Sequence, residues 1–185
     1  MIRRLIPSLI RRLAGDVRGV SAVEFALIAP VMILFYAGLV DLCQGYMALK
    51  RTNHVAAVVA DLASQSSVLT ATEVDGVFEA GPDIMAPFAS ADLEQRVSSV
   101  TRVSSSTYKV DWSRSSKTTG ALSSDLAVAD AKVPADMLAN GESVIIAEAA
   151  YTYSSPFQQF LPEIRFQRRA LLEPRRSAVI ACATC

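Results

Sequence analysis

Histidine occurs once in this chain and cysteine three times among its 185 residues. A tetrahedral metal site needs four ligands at set spacings, and one His with one CxxC does not supply them. No P-loop, GxGxxG or GxSxG stretch is present, so phosphate-cradling and nucleophile-elbow chemistries lack their scaffold. No internal repeat period is visible. The single-sided basic surface of a nucleic-acid binder is missing too. His54 falls within a helical pattern and reads as an ordinary helix residue. Asp61, Glu73, Asp75 and Glu79 read as solvated helix faces. The expectation is a chain with no catalytic residues, no metal, no cofactor and no enzymatic activity.

Acids are scarce at the start. Residues 1–19 hold five arginines (Arg3, Arg4, Arg11, Arg12, Arg18) against one acid, Asp16, while the rest carries 13 basic and 17 acidic residues. A formal net charge of zero therefore joins a basic leader to a mildly acidic body. Leu5, Leu9 and Leu13 recur at helical spacing, as in a segment lying on a membrane surface. Charge then almost disappears: Val20 to Val40 is a run of 21 residues whose only charge is Glu24. About 20 apolar residues in a helix span the hydrocarbon core, so the run is long enough to cross. The arginines before it, against Lys50 and Arg51 after it, put the N-terminus in the cytoplasm and residues beyond about 42 outside. A cleavable secretory signal has a shorter apolar core and an A-x-A-like site. Ala37-Gly38-Leu39-Val40-Asp41 offers none, and Cys43 follows bulky Leu42 where a lipoprotein signal wants a small residue. The run is expected to stay with the protein.

Helical periodicity continues past the run. Leu42, Tyr46 and Leu49, then Val55, Val58, Val59 and Leu62, recur at three- and four-residue steps and predict the buried side of one helix. That helix extends from about Val20 to about Gln65, with Pro30 as a kink and the serines of 64–67 as its end. Thr70 and Glu73 have capping-box spacing and open a second helix with Val74, Val77 and Phe78 as its buried stripe. Gly81-Pro82 is expected to break or bend it. The period then changes to two. Tyr108 to Trp112 alternates as a half-buried strand, and Arg96 to Ser106 is a weaker strand candidate. Ser113 to Ser124 reads as an exposed loop. Val144 to Tyr153 is the clearest strand, with Ile145, Ala147, Ala149, Tyr151 and Tyr153 on one face. Asn140-Gly141 is a candidate hairpin turn, Pro156 ends the strand, and Ser177 to Ala181 is a last strand beyond an arginine-rich tail. Helices followed by strands, without βαβ alternation, make an α+β fold.

Two groups of residues carry chemistry. Cys182 and Cys185 lie on the outer side of the predicted topology, where a local disulfide forms readily and free thiols are the alternative. Cys43 reads as a small apolar packer. Glu24 is the harder case, because an ionised side chain deep in a bilayer costs about 2.5–3.5 kcal/mol. It is the fifth residue after Gly19, roughly 7 Å along a helix. It either rests among headgroups or needs a positive partner. Cutting after Gly19 would create one, the α-amino group of Val20.

Gly19, four residues, then Glu24-Phe25, between a basic leader and an apolar helix, resembles the class III signal of type IV pilin-like proteins. More closely, RGVSAVEFALIAPVMILFYAGLVDL is similar to TadE/TadG-type pseudopilins of the tight-adherence (Tad, or Flp) pilus. The stretch AYTYSSPF and the Pro-Arg-Arg-Ser of 174–177 also resemble that family. The resemblance implies a pilin-like α+β fold: a leader of residues 1–19, a long helix over 20–66 that spans the membrane at about 20–42, and an outer domain of 67–185 with a short helix and a small antiparallel sheet. It implies cleavage between Gly19 and Val20 by a membrane prepilin peptidase, and an assembly role for Glu24 and Phe25. A residue without a side chain gives the peptidase close backbone access. The implied partners are that peptidase, other Tad pilins and pseudopilins, and the inner-membrane assembly platform, with no nucleic acid. The implied place is a single-pass inner-membrane protein with a periplasmic outer domain, serving pilus biogenesis and surface adhesion as a minor subunit. Mature type IV pilins usually begin with N-methylated Phe or Met, whereas this chain would begin with Val20, so methylation does not carry over. The rival expectation is an uncleaved bitopic protein whose outer domain binds envelope or secretion-system components.

Overall fold

The computed structural model describes residues 19–117, 122, 126–127, 132–134, 136–156 and 162–185. The expectations for the leader, for most of 118–124 and for Phe157 lie outside the described residues.

Helix α1 runs over Val20–Ser64, 45 residues, and Pro30 lies inside it without ending it. Its far end is well satisfied. The Ser64 hydroxyl donates to the Asp61 carbonyl at 2.9 Å, and Arg175 N–H donates to the Ser64 carbonyl at 3.1 Å. After β1 (Val68–Leu69), helix α2 covers Ala71–Met85. The Thr70 hydroxyl accepts from Glu73 N–H, and the Glu73 carboxylate accepts from Thr70 N–H at 2.8 Å, which completes the expected capping box. Val74 and Phe78 are buried and Val77 packs beside them. The expected break at Gly81-Pro82 does not occur, because α2 continues through both residues to Met85. Gly81 instead makes room: a Cβ there would lie 2.5 Å from the Gln95 side chain, whose amide donates to the Phe78 carbonyl at 2.9 Å. Thr70→Ala should remove about 1 kcal/mol of stability through loss of the cap, measurable as a lowered urea midpoint at constant slope.

A 3₁₀ turn (Ser90–Asp92) leads into β2 (Leu93–Arg102), followed by β3 (Thr107–Ser115), β4 (Leu126–Ala127), β5 (Ser143–Tyr153), β6 (Ile164–Leu172) and β7 (Ala181–Cys182). Five strands form one antiparallel sheet in the order β4-β3-β2-β5-β6. The other two, β1 and β7, pair in parallel over two residues. The architecture is α+β: a long helix, a short helix and a small antiparallel sheet packed on them.

One face of β5 supplies Ile145, Ala147, Ala149, Tyr151 and Tyr153 to the main core, as its alternation predicts. Several boundaries differ from the sequence reading. β2 begins earlier and stops at Arg102, before the serines of 104–106. Ser113 to Ser115 are not loop but the end of β3, paired with Ser98 down to Arg96. Asn140-Gly141 turns the chain into β5, with Gly141 at φ +91° donating its N–H to the Arg102 carbonyl, yet β5 pairs with β2 and β6 rather than with a strand just before the turn. The last strand is Ala181–Cys182, shorter and later than 177–181. The stretch expected as an arginine-rich tail forms β6, whose alternation Arg168 interrupts. Three acids expected as solvated do keep contact with solvent and are engaged as well: Asp61 pairs with Arg175, Glu73 caps α2, and Asp75 binds Arg114 at 2.6 Å. The Arg114 hydrogen bonds hold the Asp75 carboxyl below its usual value.

A smaller second core lies on the opposite face of the sheet, where Val133 and Leu138 cover Val100, Tyr108, Val144 and Ile146.

Candidate functional site

α1 divides into two halves at one residue. From Val20 to Val40 its side chains are largely exposed, including Phe25 at 72% and Phe35 at 69%. Asp41 is 1% exposed and is the first residue of the helix to be buried by the outer domain. At 1.5 Å per residue the bare half measures about 30 Å, the thickness of a hydrocarbon core. The helix is thus long and apolar enough to cross a membrane.

Beyond Asp41 the buried side of α1 consists of small residues: Gly45, Ala48, Thr52, Val55, Ala56, Val59, Ala60 and Ala63. These let the sheet approach the helix axis, and a Cβ added at Gly45 would already lie 3.5 Å from the Tyr153 ring. The expectation that Leu42, Tyr46 and Leu62 lie inward is corrected, since Leu42 and Tyr46 stay 61% and 57% exposed and Leu62 38%, while Leu49 is half-buried. Val55 and Val59 are buried as expected. Large side chains would hold the sheet away, so they face outward and extend the apolar surface of the bare half past Asp41. Cys43 is exposed on α1 as a free thiol rather than packed. His54 is exposed.

The boundary itself is a polar junction between distant parts of the chain. The Tyr153 hydroxyl donates to Asp41 Oδ1 at 2.9 Å, and the Ser155 hydroxyl donates to Asp41 Oδ2 at 2.5 Å. Both partners are buried, and Phe88 packs edge-on to Tyr153 with ring centroids 6.2 Å apart. A buried carboxylate requires such donors, because an unpaired one would forfeit its hydration without replacement. Burial, reinforced by the bond to Asp41, pushes the Tyr153 phenol up to about 12. The junction ties the end of β5 to the point where α1 emerges from the core. The alternation of β5 predicts Tyr153 on a core face but says nothing of Asp41. Their pairing across 112 residues has no local signal.

Gly19 precedes the first turn of α1 with φ −92°, and no side chain caps that turn. A Cβ on Gly19 would meet nothing within 4 Å. Among the described residues, neither backbone conformation nor packing requires glycine there. Val20 is 49% exposed, and Glu24 lies one helical turn beyond it on the same side. Glu24 is exposed and makes no hydrogen bond or ion pair among the described residues. Phe25 is beside it, equally bare. At the other end of the molecule Cys182 and Cys185 form a disulfide next to the β1–β7 pairing. Among the described residues no group of three His, Cys, Asp or Glu could hold a metal ion.

An uncapped glycine, an unpartnered acid five residues on, and a bare apolar helix lie within one segment, and that segment has relatives. Residues 19–61 match the TadE-like protein family. The TadE-like segment is nearly all of α1, from the glycine to the acid that pairs with Arg175. It contains Glu24 and Asp41 but none of the sheet. The match supports a place for the chain in the Tad pilus system that its sequence resembles. No curated protein and no solved structure matches the chain.

Proposed function

We propose that this chain is a minor pseudopilin of a Tad pilus, cleaved between Gly19 and Val20 and assembled through its bare helix. The observation that carries the reading is the outward face of α1, apolar and exposed from Val20 through Met47. An isolated anchor needs apolar surface only within lipid. Here the exposed face continues past Asp41 through Leu42, Tyr46 and Met47, as a helix that packs against other helices requires. Glu24 then acts as an assembly contact. It lacks a partner among the described residues, and the amine released at Val20 supplies the missing charge, from its own chain or a neighbour. Phe25 packs beside it. The outer domain stays on the far side of the membrane, and the prepilin peptidase, other Tad subunits and the assembly platform are the partners.

The test is the N-terminal sequence of the protein from cells with and without the prepilin peptidase. A chain starting at Val20 in the first and at Met1 in the second is expected. A Met1 start in both overturns the reading in favour of an uncleaved anchor.

A further inference from the structure

The five-stranded sheet has unequal edges. One is β4, two residues long, and the other is β6, which presents the nine residues Ile164–Leu172. β5 pairs with all nine in one continuous register, and among the described residues no strand lies on the far side of β6. About half of its backbone N–H and C=O groups therefore point away from β5, over a length of about 30 Å. Sheets blunt such an edge by shortness, proline, a bulge or charge, and β6 has only charge.

Those charges are not equivalent. On the face turned away from α1, Arg165 is bound to Glu94 and Arg169 to Glu148. Arg168 is on the face toward α1, opposite Ala149, and is exposed. Its guanidinium donates to the Gln167 carbonyl of its own strand at 3.2 Å, and among the described residues no carboxylate meets it. Phe166 and Ala170, the neighbours of Arg168 on that face, are half-buried against the main core. α1 packs over β5 and β6, while α2 lies on its other side over β2. Arg51 of α1 donates to the Ile84 carbonyl of α2, and Leu49 is about 200° around the helix from Arg51. Half-buried Leu49 is thus on the flank of α1 that overlooks the β6 edge.

That arrangement selects a partner. An extended segment added to β6 gains main-chain hydrogen bonds along the edge, and its alternate side chains fall on the α1 side. There they meet Phe166, Arg168 and Ala170 in turn, a row that reads apolar, cationic, apolar. An acid with an apolar residue two positions away on each side complements that row. A second copy of the chain does not. Pairing β6 antiparallel with itself about its middle residue sets Arg168 against Arg168, and like charges directly opposite destabilise a strand pair.

We propose that the β6 edge takes up an extended segment of another protein as an added strand, with a carboxylate of that segment on Arg168 and apolar residues beside Phe166 and Ala170. The surface belongs to the outer domain and does not rest on cleavage at Gly19.

A fluorescently labelled peptide, Thr-Val-Thr-Glu-Thr-Val-Thr, tests it by anisotropy with the full chain in detergent micelles. Binding is expected, together with slowed amide hydrogen exchange in 164–172. Lysine in place of the central glutamate should weaken binding at least about fivefold, because a repulsive cross-strand pair replaces an attractive one. Arg168→Glu should reverse that preference, a result that loss of folding would not give. N-methylation of the peptide amides along one of its edges should abolish binding, and along the other should leave it, since only one edge meets β6. No binding, equal binding of the two peptides, or indifference to N-methylation on either edge would each overturn the proposal. Protection of 164–172 that rises with protein concentration in the absence of peptide would overturn it in favour of a second copy.

Discussion

Glu24→Ala is expected to be cut normally between Gly19 and Val20 yet to leave cells almost without pili. In the proposed processing the peptidase reads the backbone at Gly19, and the acid lies five residues away. Assembly is different, because the bare half of α1 has no polar partner for this carboxylate among the described residues. Breaking a desolvated ion pair by removing one member costs about 3–5 kcal/mol, more than a hundredfold in an association constant. Glu24→Gln should fail as well, since it preserves shape but not charge. Electron-microscopic pilus counts and a blot for the processed form separate the two steps. A normal count in Glu24→Ala would reduce Glu24 to an acid tolerated at the headgroups. Loss of cleavage would place its role at the peptidase instead.

Asp41→Ala is expected to lower the melting temperature of the detergent-solubilised chain by about 6–12 °C. The substitution leaves the Tyr153 and Ser155 hydroxyls buried without their acceptor, at a combined cost of about 3 kcal/mol, and each kcal/mol moves a chain of this size by about 2–4 °C. Asp41→Asn retains one acceptor and should lose less. The double variant Asp41→Ala, Tyr153→Phe should be more stable than the sum of the singles predicts, because it removes both ends of one contact. The junction also has a pH signature. The Tyr153 phenol titrates near 12 when folded, above the usual value near 10 for a free tyrosine. Its contribution is therefore complete below about pH 10 and is lost as pH rises toward 12. Tyr153→Phe should remove that alkaline loss. A melting temperature within about a degree of the parent in Asp41→Ala would show that the junction does not hold the outer domain to the helix.

Much of the scaffold was legible because its causes are local. A 45-residue helix follows from continuous periodicity, and the Thr70–Glu73 cap from two side chains three residues apart. The inward face of β5 follows from strict alternation. Periodicity was less informative about which side of α1 would be covered. It weighted Leu42 and Tyr46 inward, whereas a sheet packed close on a helix favours Gly45, Ala48 and Ala56 at the contact. A stripe of small residues at three- and four-residue spacing was the available signal. β6 was hidden by Arg168, although Ile164, Phe166, Ala170 and Leu172 already alternated around it.

The sequence by itself determined the bare helix, its lone acid, the glycine before it and the two-part α+β order, since hydrophobicity, charge and capping act over a few residues. The tertiary structure alone decided what meets what. Sheet register set Arg96, Glu148 and Arg169 in one row, and the packing of β5 on α1 brought Tyr153 and Ser155 to Asp41. Such contacts depend on register and close approach between segments 21 to 114 residues apart, and no local pattern encodes either.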